Sequence, residues 1–299
     1  MMRTYPLQAS RMFNTPLLVH PGKAEIICRA VGRRVLGAQF EIRAPQAGVL
    51  GEPIRDDTNY DWFTGEENSS LQSVRRVGNV AVLEIEGTLV AKGKWTGAYS
   101  GMTSYEGINA QVSDLRADAG VSAVVLEVDS FGGEVAGVFD CADQIAALAA
   151  EKPVIAILTD HACSAGFLLA SAARSIIVPR TGMVGSIGVI SMHVDMSRAL
   201  DEAGLTVTIL AAGKNKADGS PYAPLPDATA EKFRTEMEAL RDLFAEAVGR
   251  YRGDRLPKAK ALATEAETYV GQAAVDAGLA DAVANPTEAF RAFVTEMAG

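Results

Sequence analysis

The sequence predicts an α/β protein built on a largely parallel sheet, and three observations carry that prediction. Short runs rich in Val, Ile and Leu alternate with helical-period segments from residue 80 onward, the order expected of βαβ units. Runs such as Ala123-Val124-Val125-Leu126 are apolar at consecutive rather than alternate positions, as strands covered on both faces are. The pair Gly132-Gly133 stands where one such run hands over to a helical segment, the place where open α/β sheets gather their sites.

With 299 residues, 48% of them hydrophobic and 22% charged, the chain can bury a sizeable core as one large domain or two small ones. Its net charge of −9 argues against a nucleic-acid surface. Cys28, Cys141 and Cys163 are odd in number and lack C-x-x-C spacing, so neither a disulfide framework nor a zinc site is expected. No secretory leader is evident, and no apolar stretch reaches the roughly 18 residues that span a bilayer. A soluble protein of a reducing cytoplasm without a membrane anchor is expected.

Taken in order, residues 1–70 read as an N-terminal appendage with one amphipathic helix over 22–34, and 44–70 is a Gly/Pro/Asp/Asn/Ser-rich linker. A strand over 80–89 opens the main domain, 79–283. An exposed loop over 92–107 follows, then a helix over 104–118, a strand over 123–129 and a helix over 134–150. Next come a strand over 154–158, a small-residue helix after Ser164, and a strand over 175–178. Beyond them lie a glycine-punctuated turn and strand over 181–190, a short helix over 196–203 and a strand over 205–210. A polar loop over 212–224 leads to a helix over 228–252 whose Phe233, Met237, Leu240, Leu243, Phe244 and Val248 have core spacing. Residues 284–299 form a tail helix.

Cys163-Ser164-Ala165-Gly166 lies between a strand and a helix. A serine at such a turn is either a helix cap or a nucleophile on a strand-to-helix elbow, although the full G-x-S-x-G pattern is absent. Gly132-Gly133, one βα step earlier, is expected at a helix start beside it, so that the Gly133 and Ala165 amides face one carbonyl oxygen. A serine needs a base. His20 lies in the appendage and His161 is too close along the chain, which leaves His193 as the histidine candidate. The alternative is a desolvated lysine, Lys214 or Lys216, in Ala212-Gly213-Lys214-Asn215-Lys216-Ala217-Asp218-Gly219-Ser220-Pro221. Cys163 is a rival nucleophile that no feature marks as activated.

Several ordered motifs resemble the signal peptide peptidase A family of serine proteases, in particular its phage capsid (head) maturation branch. They are Tyr105-Glu106-Gly107-Ile108, Asp129-Ser130-Phe131-Gly132-Gly133-Glu134, Cys163-Ser164-Ala165-Gly166, Gly185-Ser186-Ile187-Gly188-Val189, Lys216-Ala217-Asp218-Gly219-Ser220-Pro221 and Tyr269-Val270-Gly271 with Gly278-Leu279-Ala280-Asp281. The resemblance covers about residues 79–283 and implies a crotonase-like (ClpP-like) fold with repeated ββα units and a Ser/Lys dyad. It implies Ser164 as nucleophile, Lys216 as general base, Ser186 as the hydroxyl orienting the lysine, and the Gly133 and Ala165 amides as oxyanion hole. Phe131 departs from the proline usual in relatives, and a changed subsite wall is expected there. No metal or cofactor is implied. Capsid scaffold or portal protein as substrate, a homo-oligomer, and action in the host cytoplasm within the assembling procapsid are expectations of the same resemblance. A Ser/His protease using His193, an acyl-CoA hydratase or isomerase, a cellular-type signal peptide peptidase and an inert assembly factor are the alternatives.

Overall fold

The computed structural model describes residues 15–21, 74–92 and 101–298. The expected helix over 22–34 and the linker over 44–70 lie outside these residues. Three long strands organise the molecule: β3 (Val80–Val90), β5 (Ala123–Glu134) and β6 (Val154–Cys163). They run parallel as neighbours, with β7 (Ser175–Val178) and then β10 (Ala282–Val283) continuing the sheet beyond β6. On the other edge β2 (Arg75–Val77) pairs antiparallel with β3.

Alternate residues of each strand serve two cores. Val124, Leu126 and Val128 face the main core, whereas Ala123 and Val125 join Val80, Val82, Ile155 and Ile157 against Phe290 and Phe293 of the C-terminal helix (Pro286–Ala298). With both faces covered, the strands are apolar at consecutive positions. The main core is closed by α1 (Tyr105–Ala117), α2 (Val138–Glu151), α3 (Ala165–Ser171) and the C-terminal half of α5 (Asp227–Arg252), which follows the short α4 (Ser197–Glu202). Ser104 caps α1, its hydroxyl accepting from the Gly107 amide at 3.0 Å.

The long strands change partners along their length. Register shifts between Glu86 and Thr88, and between Val128 and Ser130, act as bulges. Past them β3 meets β4 (Met102–Ser104), within the stretch expected to be loop. There β6 meets β8 (Met183–Gly185), which in turn pairs antiparallel with β9 (Thr268–Val270). The end of β5 pairs antiparallel with β1 (Leu17–Val19), so part of the expected appendage is a strand of the sheet.

Three further expectations are corrected. Gly132-Gly133 is not at a helix start: β5 continues to Glu134 because β1 and β3 flank the pair on its two sides, and α2 begins only at Val138. Residues 205–210 form no strand; without a neighbouring strand to bond, Leu205, Val207, Ile209 and Leu210 are exposed, Leu210 at 93%. The helix expected from 228 is present, but Phe233, Met237 and Leu240 are only half-buried and Leu243 is exposed, so its N-terminal half lacks a cover within the described residues.

The motif near the C-terminus is structural. Arg252, fully buried, holds Asp281 through two bonds at 2.7 and 3.1 Å, and Asp281 also accepts from the Ile176 amide at 2.7 Å. Burial opposes the charged carboxyl, but the Arg252 guanidinium and the Ile176 amide bring it below the ordinary carboxylate range. One ion pair thus fastens α5 to the β7 edge.

Candidate active site

The site is built where β6 turns into α3. Val154–Cys163 opens with the apolar run Val154-Ile155-Ala156-Ile157-Leu158, whereas Ala165–Ser171 is a short helix of Ala, Gly, Phe, Leu and Ser that is buried throughout. The change of secondary structure falls on Ser164, whose φ of +55° and ψ of −119° are strained for a residue with a side chain. Its amide donates to the Gly185 carbonyl at 2.8 Å and its carbonyl accepts from Leu168 at 3.0 Å, so the turn is pinned from both sides. The hydroxyl makes no cap bond, and among the described residues the buried Oγ has no hydrogen-bond partner. Of the two readings of this serine, the cap is therefore excluded. An unbonded hydroxyl held on a strained strand-to-helix turn has the form of a nucleophile elbow.

The end of β5 lies against this turn. A Cβ on Gly132 would fall 3.0 Å from the Ser164 Cβ, 3.0 Å from the Ala165 amide nitrogen and 2.1 Å from the Leu18 carbonyl oxygen. Gly132 also has a φ of +97°, so both space and backbone demand glycine. Its amide is held by the Ser130 hydroxyl at 3.1 Å, and that hydroxyl donates to the Gly87 carbonyl at 2.7 Å. Ser130, unassigned in the sequence reading, is thus the brace of the glycine strand, and its place in the Asp129-to-Glu134 motif was the available signal. Gly166 touches the same brace, 3.0 Å separating its would-be Cβ from the Ser130 Cβ.

Ser186 stands beyond Gly185, which accepts the Ser164 amide, and is itself buried with a φ of +56°. Its amide donates to the Glu267 carbonyl at 3.0 Å, so β9 and the Tyr269-Val270-Gly271 motif support it. The structure therefore brings Ser164, Ala165, Gly132-Gly133 and Ser186 into one locality.

Lys216 is not joined to them within the single chain. It lies exposed in a turn on an excursion of the chain whose ends meet where the Met196 amide donates to the Pro221 carbonyl at 2.7 Å. Lys214 is exposed on the same turn. The histidine candidate does not engage the serine, since His193 Nε2 donates to the Ser220 carbonyl at 3.1 Å, and His161, set aside above, has its Nδ1 3.1 Å from Asp129. His161 also stacks on Phe131, 4.2 Å between ring centres. Burial pushes the Cys163 thiol up to about 12, with Asp129 adding to the effect. A thiol of that acidity is protonated near neutral pH, which removes Cys163 as a rival.

Comparison with known proteins places this site in context. A family model described as peptidase family S49 matches residues 146–298. The chain is 39% identical over 292 residues to the capsid assembly protease C of Escherichia phage lambda, covering 96% of this chain and 65% of that protein. It is 36% identical over 285 residues to the head-tail preconnector protein GP5 of Enterobacteria phage P21, covering 95% of this chain and 56% of that protein. The chain thus spans less than two thirds of either relative's length. Among solved structures, an enoyl-CoA hydratase from Shewanella pealeana aligns over 76% of this chain and 73% of its own, at 12% identity and a TM-score of 0.43.

Proposed function

The chain belongs to peptidase family S49, and from that premise we propose that it is a serine endopeptidase whose nucleophile is Ser164 and whose general base is Lys216. The observation that carries the reading is Ser164 itself, strained at the β6–α3 turn, its hydroxyl without a hydrogen-bond partner among the described residues and with the Ala165 amide and the Gly132-Gly133 backbone packed around it.

In this mechanism neutral Lys216 takes the Ser164 proton as Oγ attacks a peptide carbonyl. The oxyanion receives hydrogen bonds from the Gly133 and Ala165 amides, each worth about 3 kcal/mol in the transition state. Protonated Lys216 then delivers its proton to the leaving amine, and water activated by the same lysine releases the acyl group. Ser186 orients the amine.

A lysine acts as base near neutral pH only when desolvated, and in the single chain Lys216 is exposed. Assembly supplies the missing burial. The excursion carrying Lys216 also exposes Leu205, Val207, Ile209 and Leu210, an apolar surface of the kind that marks association sites. Copies packing through this arm seat Lys216 against the Ser164 of a neighbouring subunit. By the same reading, and in keeping with the phage relative named as a capsid assembly protease, the substrates are capsid scaffold or portal proteins. Cleavage takes place in the procapsid within the host cytoplasm. Among the described residues no helix is long and apolar enough to cross a membrane.

Cleavage of quenched fluorescent peptides by single variants tests the reading. Lys216→Ala is expected to lose at least about 10³-fold in kcat/KM, a typical cost of removing a catalytic base, while His193→Ala stays within a few-fold of the wild type. The opposite pattern would install His193 as base and overturn the dyad.

A further inference from the structure

A nucleophile must be reachable, yet Ser164 is fully buried in the single chain. What lies against it is this chain's own β1. The strand is flanked on two sides: Leu17, Leu18 and Val19 register antiparallel with Glu134, Gly133 and Gly132, and on the other side Leu17 exchanges two backbone hydrogen bonds with Ile190, at 2.8 and 3.0 Å. All three side chains are buried. Leu18 points into the main core, while Leu17 and Val19 pack on Ile190 and Met192. An extended segment held on both sides by backbone, with alternate side chains in apolar pockets, is the geometry of peptide recognition by strand addition.

The register of β1 agrees with a substrate's. Hydrogen-bonded and non-bonded pairs alternate along an antiparallel ladder. The His20 amide donates to the Phe131 carbonyl at 2.9 Å, which sets Leu18 and Gly133 in the bonded phase, with the Gly133 N–H facing the Leu18 carbonyl. The Leu18 oxygen, the Ala165 amide nitrogen and the Ser164 Cβ all lie within 3.0 Å of the point where a Gly132 Cβ would stand. The Leu18 carbonyl is therefore placed among the groups assigned above to the oxyanion and to the nucleophile.

We propose that residues 17–19 are an internal pseudosubstrate: a strand that fills the peptide groove between the end of β5 and Ile190, presents the Leu18 carbonyl to the oxyanion site, and must leave before another peptide can enter. The inference rests on the peptidase reading of Ser164. It also defines what the groove takes, an extended peptide with a Leu-sized apolar side chain on the acyl side of the bond presented to Ser164.

A reversible lock tests the proposal. Leu17 and Ile190 form a doubly bonded antiparallel pair, and such pairs have Cα atoms about 5.5 Å apart, within disulfide reach. The full chain carrying Leu17→Cys and Ile190→Cys, with Cys28→Ser to remove a competing thiol, is oxidised and assayed with a quenched peptide, then reduced and assayed again. The oxidised form is expected to cleave at least about tenfold more slowly, with recovery on reduction. Equal rates in the two forms, or failure of the disulfide to form, would overturn the proposal. A reduced protein and a wild type that are both inert would instead remove the peptidase reading, and the pseudosubstrate with it. As a second variant, Val19→Asp places a charge in the small Ile190 and Met192 cluster, away from the main core. It is expected to raise kcat/KM for added peptide several-fold, and an unchanged or lower value in a folded protein would count against the strand.

Discussion

The conformation of Ser164, the proposed nucleophile, is set by backbone before side chains enter. Ser164 holds a φ of +55°, a conformation costing about 1–3 kcal/mol, and it persists because the Gly185 carbonyl and the buried α3 fix the turn. Gly132 matters for the same reason. Gly132→Ala would place a methyl 3.0 Å from both the Ser164 Cβ and the Ala165 nitrogen. It would also place that methyl 2.1 Å from the Leu18 carbonyl oxygen at a φ of +97°, so the variant is expected to lower the thermal midpoint and peptide cleavage together, whereas Gly132→Ala with both unchanged would contradict this packing. The cysteine adjoining Ser164 was legible as a rival, and its burial, which no motif reveals, is what disposes of it. The turn that carries Ser164 and Ala165 was legible because a strand, a turn and a run of small residues are local features, whereas the helix start expected at Gly133 was not found, because β1 and β3, which extend β5 through the pair, are distant in sequence. The brace formed by Ser130 was not legible, since it depends on Gly87 lying one strand away.

At the scale of elements, charge placement shapes stability. The far end of the sheet face that carries Ala123 and Val125 turns acidic, with Glu84, Glu86, Glu127 and Asp129 adjacent across β3 and β5 and Arg75 reaching Glu84 and Glu127 from β2. Burial raises Glu127 to about 7 against the opposing pull of Arg75, and burial with the neighbouring Glu84 and Asp129 raises Glu86 to about 6. Both carboxyls keep protons in the folded chain at pH values where the unfolded chain has released them. Folding therefore becomes less favourable as pH rises from about 4.5 to about 7, by at most about 1.4 kcal/mol per pH unit for each proton. Thermal unfolding across that range is expected to show a falling midpoint, with a shallower fall in Glu127→Gln. The Arg252–Asp281 pair acts differently: Asp281→Ala leaves the buried guanidinium uncompensated and is expected to cost about 3 kcal/mol in urea unfolding. The strands of the central sheet were legible from their consecutive apolar residues. β1 was not, because three apolar residues in a segment without periodicity are no signal until β5 and Ile190 supply partners. The run over 205–210 misled in the opposite sense, a strand-like pattern with no strand beside it.

For the whole molecule, the two residues of the proposed dyad lie apart. Everything that positions Ser164 lies within the folded core, whereas Lys216 rides on an exposed arm together with Leu205 and Leu210. The sequence motifs point to both residues of the proposed dyad but carry no information on their separation, since spacing along the chain does not say where a loop comes to lie. Leu205→Asp with Leu210→Asp is expected to lower the assembly's mass in sedimentation velocity and to lower peptide cleavage in parallel. An equimolar mixture of Ser164→Ala and Lys216→Ala proteins, each inert alone, is expected to regain cleavage because an intact serine and an intact lysine meet across some interfaces. The cleavage outcomes of both experiments depend on one claim, that Ser164 becomes acylated. The measurement that tests it most directly is an acid quench during turnover of an N-blocked leucine p-nitrophenyl ester, followed by mass mapping of the acyl group. The account predicts the added mass on Ser164 in the wild type and its absence in Ser164→Ala. Turnover with Ser164 unmodified, or with the acyl group on Cys163, would contradict it.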